Sequence, residues 1–204
     1  MTAKHVIREI IVELYKKNMI KFGKYMLSSG RKSPYYIDLR ILPSYPSLYR
    51  RIMGELINNI EGEGLKYDVV AGIETSGIIH AAYLGCLTNK PIAYIRKKVK
   101  EHGTKKLIEG IVENKRVLIV DDVSTTGNTL YNAVLTLREN KAIVEKAYVI
   151  IDRCEGAREK LASINVELKS LINIYDIIRV LEEEKLVNRE KIEAVKTYLR
   201  NITK

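Results

Sequence analysis

The middle of the chain is built from short apolar runs that do not alternate with polar residues. They are DVVAGI (68–73), PIAYIR (91–96), RVLIVDD (116–122) and VEKAYVIID (144–152). A strand with one wet face alternates apolar and polar residues, whereas an unrelieved run must be covered on both faces. Helical stretches separate these runs. One is IIHAAYLGCL (78–87), and in another Leu130, Val134 and Leu137 share a face. ASINVELKSLINI (162–174) contains a fifth run. Strands alternating with helices build βαβ units. The expected fold is therefore α/β, with a mainly parallel central sheet flanked by helices. In such sheets ligands bind beyond the carboxyl ends of the strands.

The flanks read differently. Residues 3–18 place Val6, Ile10, Leu14 and Ile7, Ile11, Tyr15 at helical spacing, with Thr2 as the N-cap. Two short β-like runs follow within 21–42, and Ser33-Pro34 marks a turn or strand entry. Pro46 opens a helix to about residue 60, where Leu48, Ile52, Leu56 and Ile60 recur every fourth position. KKVKEHGTKKLIEG (97–110) reads as a polar, basic, mobile excursion, with Lys105 and Lys106 as solvated charge. Two more helical stretches close the chain, the last with Ile192, Val195 and Leu199 on one face.

Composition limits the function classes. With 46% apolar residues, 204 residues can bury the core of one domain. No run approaches a membrane span, and the N-terminus lacks the pattern of a signal peptide. Cys86 and Cys154 form no metal or redox spacing, so they read as reduced thiols of a cytoplasmic protein. Cys86 is expected in the core and Cys154 has no evident role. His80, inside an apolar helix, reads as a packed structural residue, and His5 as surface. A net charge of +10 implies an anionic partner. The 13 tyrosines are scattered and no nucleic-acid module is present, so a phosphorylated small molecule fits better than nucleic acid.

The densest chemistry lies at RVLIVDDVSTTGNT. Val117–Val120 reads as the strand, with Asp121 and Asp122 at its carboxyl end. Adjacent carboxylates repel, and burial raises that cost. After Val123, residues Ser124, Thr125, Thr126, Gly127, Asn128 and Thr129 form a loop into a helix N-terminus. There free N–H groups and the helix dipole favour phosphate. The acids cannot bind phosphate, but they can accept from sugar hydroxyls, directly or through Mg²⁺. Together they describe a ribose 5-phosphate cradle. It is not a Walker A loop, because GxxxxGK[ST] is absent.

This string resembles the phosphoribosyl pyrophosphate motif of the type I phosphoribosyltransferases. KYMLSSGRKSPYYIDLR (24–40) is similar to the hood of the orotate-specific family within them. IRKKVKEHG (95–103) is similar to that family's basic catalytic loop, and VIIDRCEG (149–156) to its arginine-bearing strand end. The resemblance implies one domain, 1–204, in which residues 1–45 and part of the C-terminus form the hood. It implies transfer of ribose 5-phosphate from phosphoribosyl pyrophosphate to orotate, giving orotidine 5′-monophosphate in UMP biosynthesis.

The same resemblance implies residue roles. Asp121 and Asp122 would hold the ribose hydroxyls, and Mg²⁺ through water. Thr125 to Thr129 would cradle the 5-phosphate, with Thr125 also near the base. GIETSG (72–77) would wrap pyrophosphate, with Thr75 and Ser76 at its centre. Arg96, Lys100 and His102 would close over pyrophosphate from the neighbouring subunit of a homodimer, while Lys97 acts within its own chain. Arg153 would meet the orotate carboxylate, and Tyr36 and Ile37 would present backbone to the base. Association with orotidine monophosphate decarboxylase is a further implied partner. Three sites depart from the family's usual pattern: Ser28, where lysine is common, Thr75-Ser76, where Tyr-Lys is common, and Asn128, where a small residue is usual.

Overall fold

A computed structural model describes residues 3–26, 30–97 and 106–202. Helix α1 (Ala3–Lys16) buries Ile10, Ile11 and Leu14 completely. Its expected cap, Thr2, lies outside the described residues. Strands β1 (Ile20–Met26) and β2 (Lys32–Ile37) pair antiparallel as a separate two-stranded sheet. A 3-10 turn at Leu42–Ser44 leads into α2 (Pro46–Gly62), whose first turn holds the helix-compatible proline.

The rest alternates as the apolar runs predict: β3 (Val69–Ile73), α3 (Ser76–Thr88), β4 (Ile92–Ile95), β5 (Ile108–Glu109), β6 (Val117–Ser124), α4 (Asn128–Glu139), β7 (Lys146–Asp152), α5 (Ala157–Ala162), β8 (Glu167–Asn173), α6 (Ile174–Glu183) and α7 (Arg189–Ile202). The six-stranded sheet has the order β5-β4-β3-β6-β7-β8. All pairs are parallel except β4 with β5, where Ile95 meets Ile108. The segment read as a polar excursion thus ends in a short edge strand. Leu107 and Ile108 are too brief an apolar signal to reveal it. The six-residue α5 was equally invisible to periodicity.

Both faces of the sheet are covered, which explains the missing alternation. Leu118 and Val120 face the core shared with α1, α2, α3, α6 and α7. Val117 and Ile119 face the core shared with α4 and α5. Each such side chain contributes roughly 1.5–3 kcal/mol by leaving water. α3 is apolar on its outer side as well. Cys86, expected in the core, is exposed there together with Ile79 and Leu87. A helix without a polar face gives no sequence signal for which side points outward. His80 is buried as expected, with Nδ1 2.9 Å from the Tyr49 hydroxyl. Among the described residues no helix is long and apolar enough to cross a membrane.

After β3 the chain builds β4 and β5 on one side, then returns to lay β6 on the other side of β3. The order reverses between β3 and β6. Helices leaving their ends diverge there and open a crevice.

Candidate active site

Strand β6 runs four residues past its expected end, so Asp121 and Asp122 lie within the ladder and not beyond it. Asp121 pairs with Val149, and Val123 with Ile151, on β7. This register buries Asp121 and leaves Asp122 half-buried. The Asp121 Oδ1 accepts from the Asp122 N–H at 3.0 Å. Asp122 accepts from the Val123 N–H at 2.8 Å and from the Ser76 hydroxyl at 2.7 Å. Burial, and then the Asp122 charge, push the Asp121 carboxyl well above the usual carboxylate range; Lys97 pulls the other way. The pair is therefore short of positive charge, which suits hydroxyl donors or a hydrated cation.

Two helix N-termini frame these acids. Helix α3 begins at Ser76, inside the GIETSG segment and two residues before the helical run IIHAAYLGCL. The turn is so tight that a Cβ on Gly72 would meet the Gly77 carbonyl oxygen at 2.2 Å. A Cβ on Gly77 would in turn stand 3.0 Å from Asp121 Oδ1. The Glu74–Thr75 peptide in this turn is cis. Helix α4 begins at Asn128 after Gly127, whose φ of 77° is left-handed. Neither helix carries a side-chain cap, which leaves first-turn N–H groups for an anion.

The neighbouring strand end carries the opposite charge. Arg153 follows β7, and its N–H donates to the Ser124 carbonyl at 3.0 Å, tying the two rims together. The Ser124 hydroxyl donates to buried Asp152 at 2.8 Å, so Ser124 braces the strand ends. The Arg153 guanidinium stacks 4.2 Å from the Tyr35 ring centroid. Its Nε donates to Glu155 at 2.8 Å and its Nη2 to the Ser33 hydroxyl at 3.1 Å.

These pieces line one cleft of about 760 Å³. It brings together every expected position from 121 to 129 with Thr75, Ser76, Lys97, Tyr36, Ile37 and Arg153. Arg96 is not among its lining residues; its guanidinium lies 3.6 Å from Glu109 on β5. Lys100 and His102 lie outside the described residues, as does Ser28. Met26, Arg40 and Glu74 also line the cleft, and sequence reasoning missed them. Glu74 accepts from the Lys97 N–H at 2.9 Å. Arg40 is held by Asp38 at 2.6 Å and reaches the Tyr36 hydroxyl at 3.3 Å. Both sit inside the segments already singled out, but isolated charges in a loop carry no periodic signal.

Comparison with known proteins agrees with this geometry. Residues 44–183 match the phosphoribosyl transferase domain model. An orotate phosphoribosyltransferase of Staphylothermus marinus is 50% identical over 199 residues, covering 98% of this chain and 97% of the relative. The crystal structure of orotate phosphoribosyltransferase from Aeropyrum pernix has a TM-score of 0.76 at 35% identity, covering 88% of this chain and 99% of that one. The Mycobacterium tuberculosis enzyme in complex with 5-phospho-α-D-ribosyl 1-diphosphate has a TM-score of 0.67 at 27% identity, covering 84% and 98%. On its matched domain, its near full-length relatives and the shared fold, the chain belongs to the orotate phosphoribosyltransferase family.

Proposed function

We propose that the chain transfers ribose 5-phosphate from phosphoribosyl pyrophosphate to N1 of orotate, giving orotidine 5′-monophosphate and pyrophosphate. The observation that carries this reading is one cleft lined by an acid pair, a threonine-glycine helix entry and an arginine on adjacent strand ends. Breaking the C1′–pyrophosphate bond builds positive charge on the ribose and negative charge on the leaving group. The protein's task is then positional and electrostatic.

Asp121 and Asp122 would accept from the ribose hydroxyls. The α4 N-terminus, with Thr125, Thr126, Gly127, Asn128 and Thr129, would take the 5-phosphate. Val123 and Ser124 would shape the floor between them. Thr75 and Ser76, at the α3 N-terminus, would take pyrophosphate through backbone N–H groups, which offsets the missing lysine of that pair. Lys97 would add charge from the same chain. Tyr36 and Ile37 would bound the base, and Arg153 would meet its carboxylate. Because Nε and Nη2 are engaged by Glu155 and Ser33, that contact would run mainly through Nη1.

The shortage of positive charge around the acid pair fits Mg²⁺. Two carboxylates are too few donors for an all-protein cage, so Asp121 and Asp122 would hold the ion through water and substrate. When bound, Mg²⁺ would spread the negative charge of the pyrophosphate.

The reading extends to assembly. Residues 1–204 would form one catalytic domain, with 1–45 and part of the C-terminus as its hood. Two copies would pair so that Arg96, Lys100 and His102 of one close over pyrophosphate in the other. Arg96 turned onto β5, and the exposed apolar side of α3, support that arrangement. The protein would act in the cytoplasm, without nucleic-acid or membrane partners, and could associate with orotidine monophosphate decarboxylase.

Purified protein supplied with Mg²⁺ and phosphoribosyl pyrophosphate is expected to consume orotate, followed by its ultraviolet absorbance. Consumption of hypoxanthine, adenine or uracil, with orotate untouched, would overturn the base assignment.

A further inference from the structure

Glu155 has no part in the cleft lining, yet four side chains converge on it: Arg153, Tyr35, Tyr198 and Arg31. Its side chain is 0% exposed. Oε1 accepts from Arg153 Nε at 2.8 Å and stands 2.7 Å from Arg153 Nη2. The same oxygen accepts from the Tyr35 hydroxyl of β2 at 3.0 Å. Oε2 accepts from the Tyr198 hydroxyl of α7 at 3.0 Å and faces Arg31 at 3.5 Å. Burial raises the pKa of both tyrosines, so they remain donors.

A carboxylate taken out of water needs this many partners to offset its desolvation. Here the partners come from three separate parts of the chain: the hairpin, the end of β7 and the last helix. The cluster also has an unequal charge count. Arg31 and Arg153 bring two positive charges, and Glu155 returns one negative. A ligand carrying one carboxylate completes the balance.

We infer that Glu155 is a positioning residue for base recognition: it clamps the Nε edge of Arg153, turns the remaining N–H groups toward the cleft, and makes that orientation depend on the hairpin and α7 being docked. This rests on the reading of Arg153 as the group that meets the carboxylate of orotate. Glutamine at 155 is nearly isosteric but presents an NH₂ where one set of donors now points. The clamp would be lost while the cavity stays filled.

The test is steady-state kinetics and equilibrium orotate titration on Glu155→Gln, Tyr198→Phe, Arg153→Ala and the Arg153→Ala/Glu155→Gln double variant. Glu155→Gln is expected to raise the orotate KM about tenfold or more, with the phosphoribosyl pyrophosphate KM unchanged. Its preference for orotate over uracil should fall by a similar factor. In the Arg153→Ala background the same substitution should change orotate affinity no further, because its effect passes through that arginine. Tyr198→Phe removes one donor from a half-buried helix position and should raise the orotate KM by a few-fold; it decides the matter if Glu155→Gln fails to fold. Equal damage to both substrates, or full additivity in the double variant, would overturn the inference. An Arg153→Ala protein with unchanged orotate affinity would instead remove the parent reading, and this one with it.

Discussion

The ends of β6 and β7 are hydrogen-bonded neighbours on one rim, yet they treat charge in opposite ways. At β6, Asp121 and Asp122 sit side by side in the ladder, and their donors are backbone N–H groups and one serine hydroxyl. Burial and mutual repulsion leave Asp121 reluctant to ionise. At β7, Arg153 is held through Nε and Nη2 by a buried carboxylate and a hydroxyl, and through its face by an aromatic ring. The first end stores an unmet demand for positive charge or hydroxyl donors, which costs stability. The second end is braced within the fold, so its arginine is oriented before any ligand arrives. One strand end is built to be completed, the other to select.

That contrast can be broken by substitution. Asp122→Asn should lower kcat/KM by about a hundredfold or more while leaving the melting temperature nearly unchanged. A large loss of stability would show that the acids hold the fold, not the ligand. Arg153→Met keeps bulk but strands much of the Glu155 charge; chemical denaturation should show a loss of about 3 kcal/mol. A neutral result would mean that Arg31 and the two tyrosine hydroxyls satisfy Glu155 without Arg153.

Gly127→Ala places a side chain on a left-handed residue whose Cβ would stand 2.9 Å from the Ala157 backbone. It should cost about 2 kcal/mol and raise the phosphoribosyl pyrophosphate KM more than the orotate KM. Asp121→Asn should have a small effect on stability, and of unusual sign. The carboxyl's folded pKa is raised, so its charged form penalises the fold above that pKa, and the penalty vanishes below the ordinary value near ~4. Melts at neutral pH should therefore show a gain of about 1 kcal/mol, shrinking as pH falls toward ~4. A gain that persists in acid would refute the buried, repelled charge as its source.

Much of this contrast was legible in the chain. The β6 acids stand next to each other in sequence, and so does the Thr-Thr-Gly turn that follows them. Local chemistry of that kind survives in a string of letters. The β7 cluster does not. Arg153 and Glu155 are two residues apart, but Ser33, Tyr35 and Tyr198 are brought to them from distant segments. Nothing in KSPYYI or in the last helix signals a hydroxyl reserved for Glu155. Cys86 failed for a related reason: spacing marks a helix, but only packing says which apolar side is left uncovered.

The unbroken apolar runs determined a covered, mainly parallel sheet, because backbone and side chains in such runs have nowhere else to leave water. The motif after Val120 determined that the rim would carry an acid pair beside an anion-binding helix entry. Tertiary structure decided the rest: that β6 returns beside β3 to open the crevice there, that the acids lie inside the ladder, and that Glu155 joins the hairpin to the last helix. These depend on strand order and on contacts between residues far apart in sequence, which local patterns do not encode.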